Sequence, residues 1–99
     1  MARVELAPEV LDDFERFRNH TARFEIADAP ARIAEIVQAI DILTHSPLIG
    51  RPVRGGKREV VIGRNARGYV ALYRYAARID TAFVLAIRSQ REAGYKRKR

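Results

Sequence analysis

Between Pro47 and Lys57 the hydrophobic period of this chain changes, and that change constrains the fold more than any other feature. Before it, apolar residues recur at helical spacing; after it, they alternate as in strands. The segment itself holds two prolines and three glycines, reads as a loop, and carries Arg51 and Arg54 outward. One helical half and one strand half in 99 residues leave room for a single core in which helices cover a sheet.

In the first half, Val4 to Ala7 reads as a short strand. Pro8 then opens a helix, because a first-turn proline loses no hydrogen bond, and Glu9, Asp12 and Asp13 complement the helix dipole. Val10, Leu11, Phe14 and Phe17 make its apolar stripe, and it runs to about Phe24. Asp28 is the expected N-cap of a second helix with Pro30 in its first turn. Ile33, Ile36, Val37, Ile40 and Leu43 continue at helical spacing to Pro47. The pair forms a helical hairpin.

In the second half, Arg58 to Ile62, Tyr69 to Ala76 and Thr81 to Arg88 read as three strands of an antiparallel meander. Tyr69, Ala71, Tyr73 and Tyr75 share one face of the middle strand, Val70, Leu72 and Arg74 the other. In the last strand Phe83, Leu85 and Ile87 oppose Ala82, Val84, Ala86 and Arg88. Both faces are largely apolar, so something is expected to cover the face away from the helices. The three tyrosines are read as core rather than as a base-stacking platform.

Charge divides at the same place as period. Residues 47–99 hold fourteen Lys and Arg against three acids (Glu59, Asp80, Glu92), a balance of +11, whereas residues 1–46 hold five against nine, a balance of −4. A sheet threaded with so many arginines repels itself, and an acidic partner relieves that cost, whether an RNA backbone, an acidic protein segment or both in turn. The chain has no cysteine, which removes disulfides, thiolate metal sites and cysteine nucleophiles together. The start of the chain lacks an apolar export segment and no run approaches a membrane span, so a cytoplasmic protein is expected. The expected domain is 1–95, with Lys96 to Arg99 a solvated basic tail.

His20 and His45 lack carboxylates at ligand spacing, so no metal is expected. The glycines do not form a phosphate loop, the hydroxyl residues lack His and acid partners, and no cofactor is called for.

The order of strand, helix hairpin, Gly50-Arg51-Pro52, Arg58-Glu59-Val60-Val61, Gly68-Tyr69-Val70-Ala71-Leu72-Tyr73-Arg74 and a final strand ending Ala86-Ile87-Arg88-Ser89-Gln90-Arg91 resembles the RelE/ParE toxin superfamily of bacterial toxin–antitoxin systems. The likeness extends from Val4 to Tyr95. It implies an α+β domain: an N-terminal strand, placed at an edge or beside the last strand, and a helical hairpin packed on a small antiparallel sheet. It also implies an antitoxin whose acidic, apolar C-terminal segment wraps the toxin. Such a segment would bury Val70, Leu72 and Val84 and pair with arginines such as Arg74 and Arg88.

The superfamily has two activities. RelE-like members cleave mRNA in the ribosomal A site, which needs a base, cations around the phosphorane, an acid and often a stacking ring. ParE-like members poison DNA gyrase. Where RelE-like enzymes carry an arginine after the Gly-Tyr pair of the middle strand, this chain has Val70, which can neither neutralise phosphate nor move a proton. That favours the gyrase-directed reading.

The alternative is a ribosome-dependent nuclease. Its set would be Arg91, Lys57, Arg58 and Tyr95, with Arg64, Arg67 or Arg74 replacing the lost cation. Glu59 reads as a partner for a neighbouring arginine. A third reading is a degenerate toxin that only binds its antitoxin. Target contact is expected at Arg51, Arg54, Arg88 and Arg91, which lie outside the apolar pattern and are not needed for the core.

Overall fold

The computed structural model describes residues 1–23, 29–63, 68–92 and 94–95. In chain order the elements are β1 (Arg3–Leu6), α1 (Pro8–Arg23), α2 (Ala29–Ile40), β2 (Arg51–Val53), β3 (Lys57–Ile62), β4 (Tyr69–Ala76) and β5 (Thr81–Ser89), with 3-10 turns at Asp41–Thr44 and Ala77–Ile79. The expected helix end at Phe24, the Asp28 cap, Arg64, Arg67 and the basic tail lie outside the described residues.

The five strands form one mixed sheet in the order β1-β5-β4-β3-β2. The C-terminal meander is antiparallel as its sequence predicts, while β1 joins beside β5 in parallel, Val4 opposite Ala82. One strand was not legible. Arg51–Val53, read above as loop, pairs antiparallel with the start of β3, Arg51 opposite Glu59 and Val53 opposite Lys57. Pro52 hides it, because a proline has no ladder donor and is tolerated only where, as here, the strand is at an edge.

The core follows the helical stripes. Val10, Phe14 and Phe17 of α1 and Ile36 and Ile40 of α2 pack on Ala71, Tyr73, Ala82, Val84 and Ile87. Leu11 and Val37, at the margins of those stripes, stay 64% and 46% exposed. α2 ends at Ile40 rather than continuing toward Pro47, and the 3-10 turn that follows carries Leu43 into the core. Thr44 Oγ1 donates to the Asp41 carbonyl and holds that turn closed.

A bulge changes the faces of β5. Pairing runs Leu72 opposite Ala86 but Tyr73 opposite Val84, which leaves Leu85 as the extra residue. Ala82 and Val84 therefore share the helix face with Tyr73, and Ile87 rejoins that face beyond the bulge with Ala71. Val84 is fully buried there, so it is not part of the outer surface to which simple alternation assigns it. Ala86 and Arg88 stand with Val70, Leu72 and Glu59 on the outer face.

Tyr73 fixes the entry to the sheet. Its buried hydroxyl donates to the Pro47 carbonyl at 2.8 Å and accepts from Gly50 N at 2.9 Å. A Cβ at Gly50 would stand 2.7 Å from the Tyr73 ring and from the Glu59 carbonyl, so only glycine fits there. Tyr69 packs against Phe17 with ring centroids 4.9 Å apart, and Tyr75 donates to Asp80 Oδ1.

Candidate functional site

The basic residues singled out in the sequence separate into two groups once the sheet is formed. Lys57 and Glu59 alternate with Arg58, so they face outward while Arg58 points toward the helix side in the row of its partner Tyr73. Arg58 donates to the carbonyls of Leu48 at 3.2 Å and Gly50 at 2.8 Å, binding the loop before β2. It therefore does not join Tyr95, and the four-residue catalytic set expected of a nuclease is not assembled on one surface.

What does assemble on the outer face is a cluster around Glu59. Its Oε1 accepts from Arg51 Nη2 at 2.8 Å and its Oε2 accepts from the Tyr95 hydroxyl at 2.5 Å. The Arg88 guanidinium lies 5.4 Å from the centre of the Tyr95 ring. The segment after β5 thus lies back across the face that the sequence left half apolar, and the chain covers part of that face itself.

These contacts set the titration of both acids. Burial would raise the pKa of Glu59, but the hydrogen bonds from Tyr95 and Arg51 outweigh it and hold the carboxyl below its usual range. Burial, and next the hydrogen bond to Glu59, push the Tyr95 phenol well above the usual tyrosine value. A general base and acid work best near the ambient pH, and here both groups move away from it.

The turn after β5 is held by further side chains. Arg88 Nη1 donates to the carbonyls of Ser89 and Glu92, both at 3.3 Å. Glu92 Oε1 accepts from Ser89 N at 2.9 Å, and Ser89 Oγ accepts from Arg91 N. Arg88 is thus a half-buried side chain that helps to hold this turn. Arg74 is exposed but anchored, its Nη2 donating to the Gly55 carbonyl at 2.9 Å. Arg54 and Arg91 are exposed, and neither side chain takes a hydrogen bond or ion pair among the described residues. Val70 is 5% exposed, opposite Val61 and Arg88, while Leu72 is half-buried and Val61 is 58% exposed on the same face.

A second network, not foreseen from the sequence, joins α1 to the end of β5. Asp13 is read above as a dipole complement, yet it is 1% exposed. Its Oδ2 accepts from Ile87 N at 2.9 Å, and its Oδ1 accepts from Arg16 Nη1 at 2.8 Å. Arg16 Nη2 in turn donates to the Ile87 carbonyl at 3.3 Å and to Glu92 Oε1 at 3.1 Å. β1 pairs with β5 only as far as Val84, so these two side chains take the place of a neighbouring strand at Ile87. Burial opposes the Arg16 charge, but the hydrogen bonds to Asp13 and Glu92 outweigh it and raise its pKa.

Among the described residues no group of three His, Cys, Asp or Glu side chains stands where it could hold a metal ion. No helix among them is long and apolar enough to cross a membrane. The outer face therefore offers exposed arginines interleaved with apolar side chains, a surface suited to an acidic and partly apolar protein segment.

Comparison with known families agrees with this architecture. A family model described as the ParE toxin of type II toxin–antitoxin system, parDE, matches residues 4–94. Among curated proteins the comparison finds no match. The match spans nearly the whole domain, strand β1 to the C-terminal turn, and with it comes an antitoxin as partner. The chain belongs to the ParE toxin family, toxins of type II toxin–antitoxin systems.

Proposed function

We propose that this toxin arrests growth by binding and poisoning DNA gyrase, without cutting nucleic acid. The observation that carries the reading is the bond from Tyr95 to Glu59. Acid–base cleavage of RNA needs a free base and a free acid, often with a ring on which a nucleobase stacks, and Glu59 and Tyr95 are the carboxylate and phenol that this face could offer. Here each occupies the other, Arg51 takes the remaining carboxylate oxygen, and Arg88 lies against the ring. Val70 adds to this, because a buried valine stands where RelE-like enzymes carry a cation.

Arg54 and Arg91 are the target-contacting charges in this reading, with Arg51 and Arg88 shaping the surface between them. The antitoxin lays its acidic, amphipathic segment over Leu72 and the exposed Val61, pairing with Arg74 at the margin. Val84 has no part in that contact because it is in the core, and Val70 contributes little area.

The nuclease alternative draws on one feature: Lys57, Arg51, Glu59 and Tyr95 do share the outer face. Purified protein separates the two readings in parallel assays of gyrase supercoiling and of mRNA on programmed ribosomes. Supercoiling should fall while transcripts stay whole. Cleaved transcripts with unimpaired supercoiling would overturn the proposal, and no effect in either assay would leave a degenerate toxin that only binds its antitoxin.

A further inference from the structure

The turn after β5 is fixed from two sides by side chains distant in sequence. On the outer side, Tyr95 is bonded to Glu59 and lies against Arg88. On the helix side, Glu92 is held by Arg16, whose guanidinium also bonds Asp13 and the Ile87 carbonyl. The Glu92 carboxylate reaches back to Ser89 N, and the Glu92 carbonyl accepts from Arg88. Between these anchors stands Arg91, exposed and without a hydrogen bond or ion pair from its side chain among the described residues.

This is a costly arrangement for a loop that serves only to end a strand. Glu92 and Arg16 keep 18% and 30% of their side-chain surface, so two charges are partly desolvated to hold the turn from Ser89 to Glu92. Arg16 Nε is buried without a hydrogen-bond partner, a further cost carried at the same place. Such expense is explained where a side chain must be presented in one orientation, because a preorganised contact loses less entropy on binding.

We propose that Glu92, held by Arg16, is a positioning residue that presents Arg91 to an acidic protein surface on the target. The inference rests on the reading above that Arg91 meets the target, and it adds two residues that never touch that target. A protein surface is favoured over RNA as the contact, because Val61 and Leu72 make the adjoining face partly apolar. Arg91 supplies the charge; Glu92 and Arg16 supply its direction.

The test uses the full chain with three substitutions, reading growth arrest on induction in bacterial cells, thermal stability, and exchange of the Ser89 amide by NMR. Glu92→Ala removes the acceptor for Ser89 N, so that amide should exchange about tenfold faster, and about tenfold more protein should be needed for arrest. Glu92→Gln keeps an acceptor oxygen for the Ser89 amide and for Arg16 and should recover most of both. Arg91→Glu should abolish arrest without changing Ser89 exchange.

Full arrest in Glu92→Ala despite faster exchange would overturn the positioning role, as would unchanged exchange. If Glu92→Ala proves too unstable to compare, failure of the well-folded Glu92→Gln to recover Ser89 protection or arrest would overturn it equally. Arrest unaffected by Arg91→Glu would instead sink the underlying reading of Arg91, and the two failures are told apart by which variant loses arrest.

Discussion

The hydroxyl of Tyr95 donates to the carboxylate of Glu59, thirty-six residues earlier, and so closes the C-terminal turn over the outer face of the sheet. The same carboxylate holds Arg51 on the edge strand. One acidic residue thereby joins β2, β3 and the segment after β5, and it does so beside Arg51 and Arg88.

Titration should report this bond. The Glu59 carboxyl sits below its ordinary pKa, so its contacts add stability above that ordinary value, and this is lost as pH falls through the lowered one. Glu59→Gln should therefore destabilise the protein near neutrality, with the gap to wild type narrowing in thermal melts as pH falls below the ordinary glutamate value, about 4.5. A gap that widens in acid would contradict the assignment.

At the alkaline end the sign reverses. The Tyr95 phenol is raised by burial and by Glu59, so its contribution is complete below the usual tyrosine value, about 10, and is lost only as pH rises through the raised one. Ultraviolet titration should show Tyr95 ionising late, together with Tyr75, whose pKa is raised first by its bond to Asp80. Tyr95→Phe should remove one late-titrating group and cost about 1 kcal/mol.

Asp13 gives the largest expected loss of stability. Asp13→Ala strands the Ile87 N–H and removes the partner of a partly buried arginine, which should cost about 3 kcal/mol in denaturant unfolding. Asp13→Asn keeps one acceptor oxygen and should cost less. Equal losses in the two variants would mean that the charge, and not the strand cap, is what matters.

How much of this was legible follows from the range of each interaction. The stripes of Val10, Phe14, Phe17, Ile36 and Ile40 are local and periodic, and all five are buried. β4 has the bounds that its alternation predicts. β2 was missed because three residues containing a proline carry no period, and Val84 was misplaced because the bulge at Leu85 depends on pairing with β4. Asp13 and Arg16 look like an ordinary exposed helix pair; their tie to Ile87 spans more than seventy residues and has no local mark. Arg88 is expected from the sequence only as a contact for target and antitoxin, and its bonds within the chain are illegible for the same reason, since they depend on how the chain turns after Ser89.

Charge reversal should separate these roles. Arg54→Glu and Arg91→Glu should each change stability by less than about 0.5 kcal/mol, because both side chains are exposed and take no partner among the described residues. Arg88→Glu should cost about 1–2 kcal/mol through its lost bonds to the Ser89 and Glu92 carbonyls. If all three melt like wild type, the turn is not held as described.

The antitoxin contact has its own test. Leu72→Glu places a carboxylate on the outer face beside Glu59, and binding of the acidic antitoxin segment should weaken by at least about tenfold in calorimetry. Wild-type affinity in that variant would place the segment elsewhere, such as over the exposed margins of the helices at Leu11 and Val37.

The central claim is that this toxin acts by binding and not by acid–base cleavage, and the most direct measurement is growth arrest by the Glu59→Gln, Tyr95→Phe double variant. That variant keeps the tyrosine-like ring beneath Arg88 and the Glu92 anchor, while removing the only carboxylate and phenol paired on the outer face among the described residues. Arrest retained within a few-fold of wild type, with transcripts intact, is the predicted result. A loss of arrest on the order of a hundredfold or more in a variant that still melts as a folded protein, together with loss of mRNA cleavage seen in wild type, would contradict it.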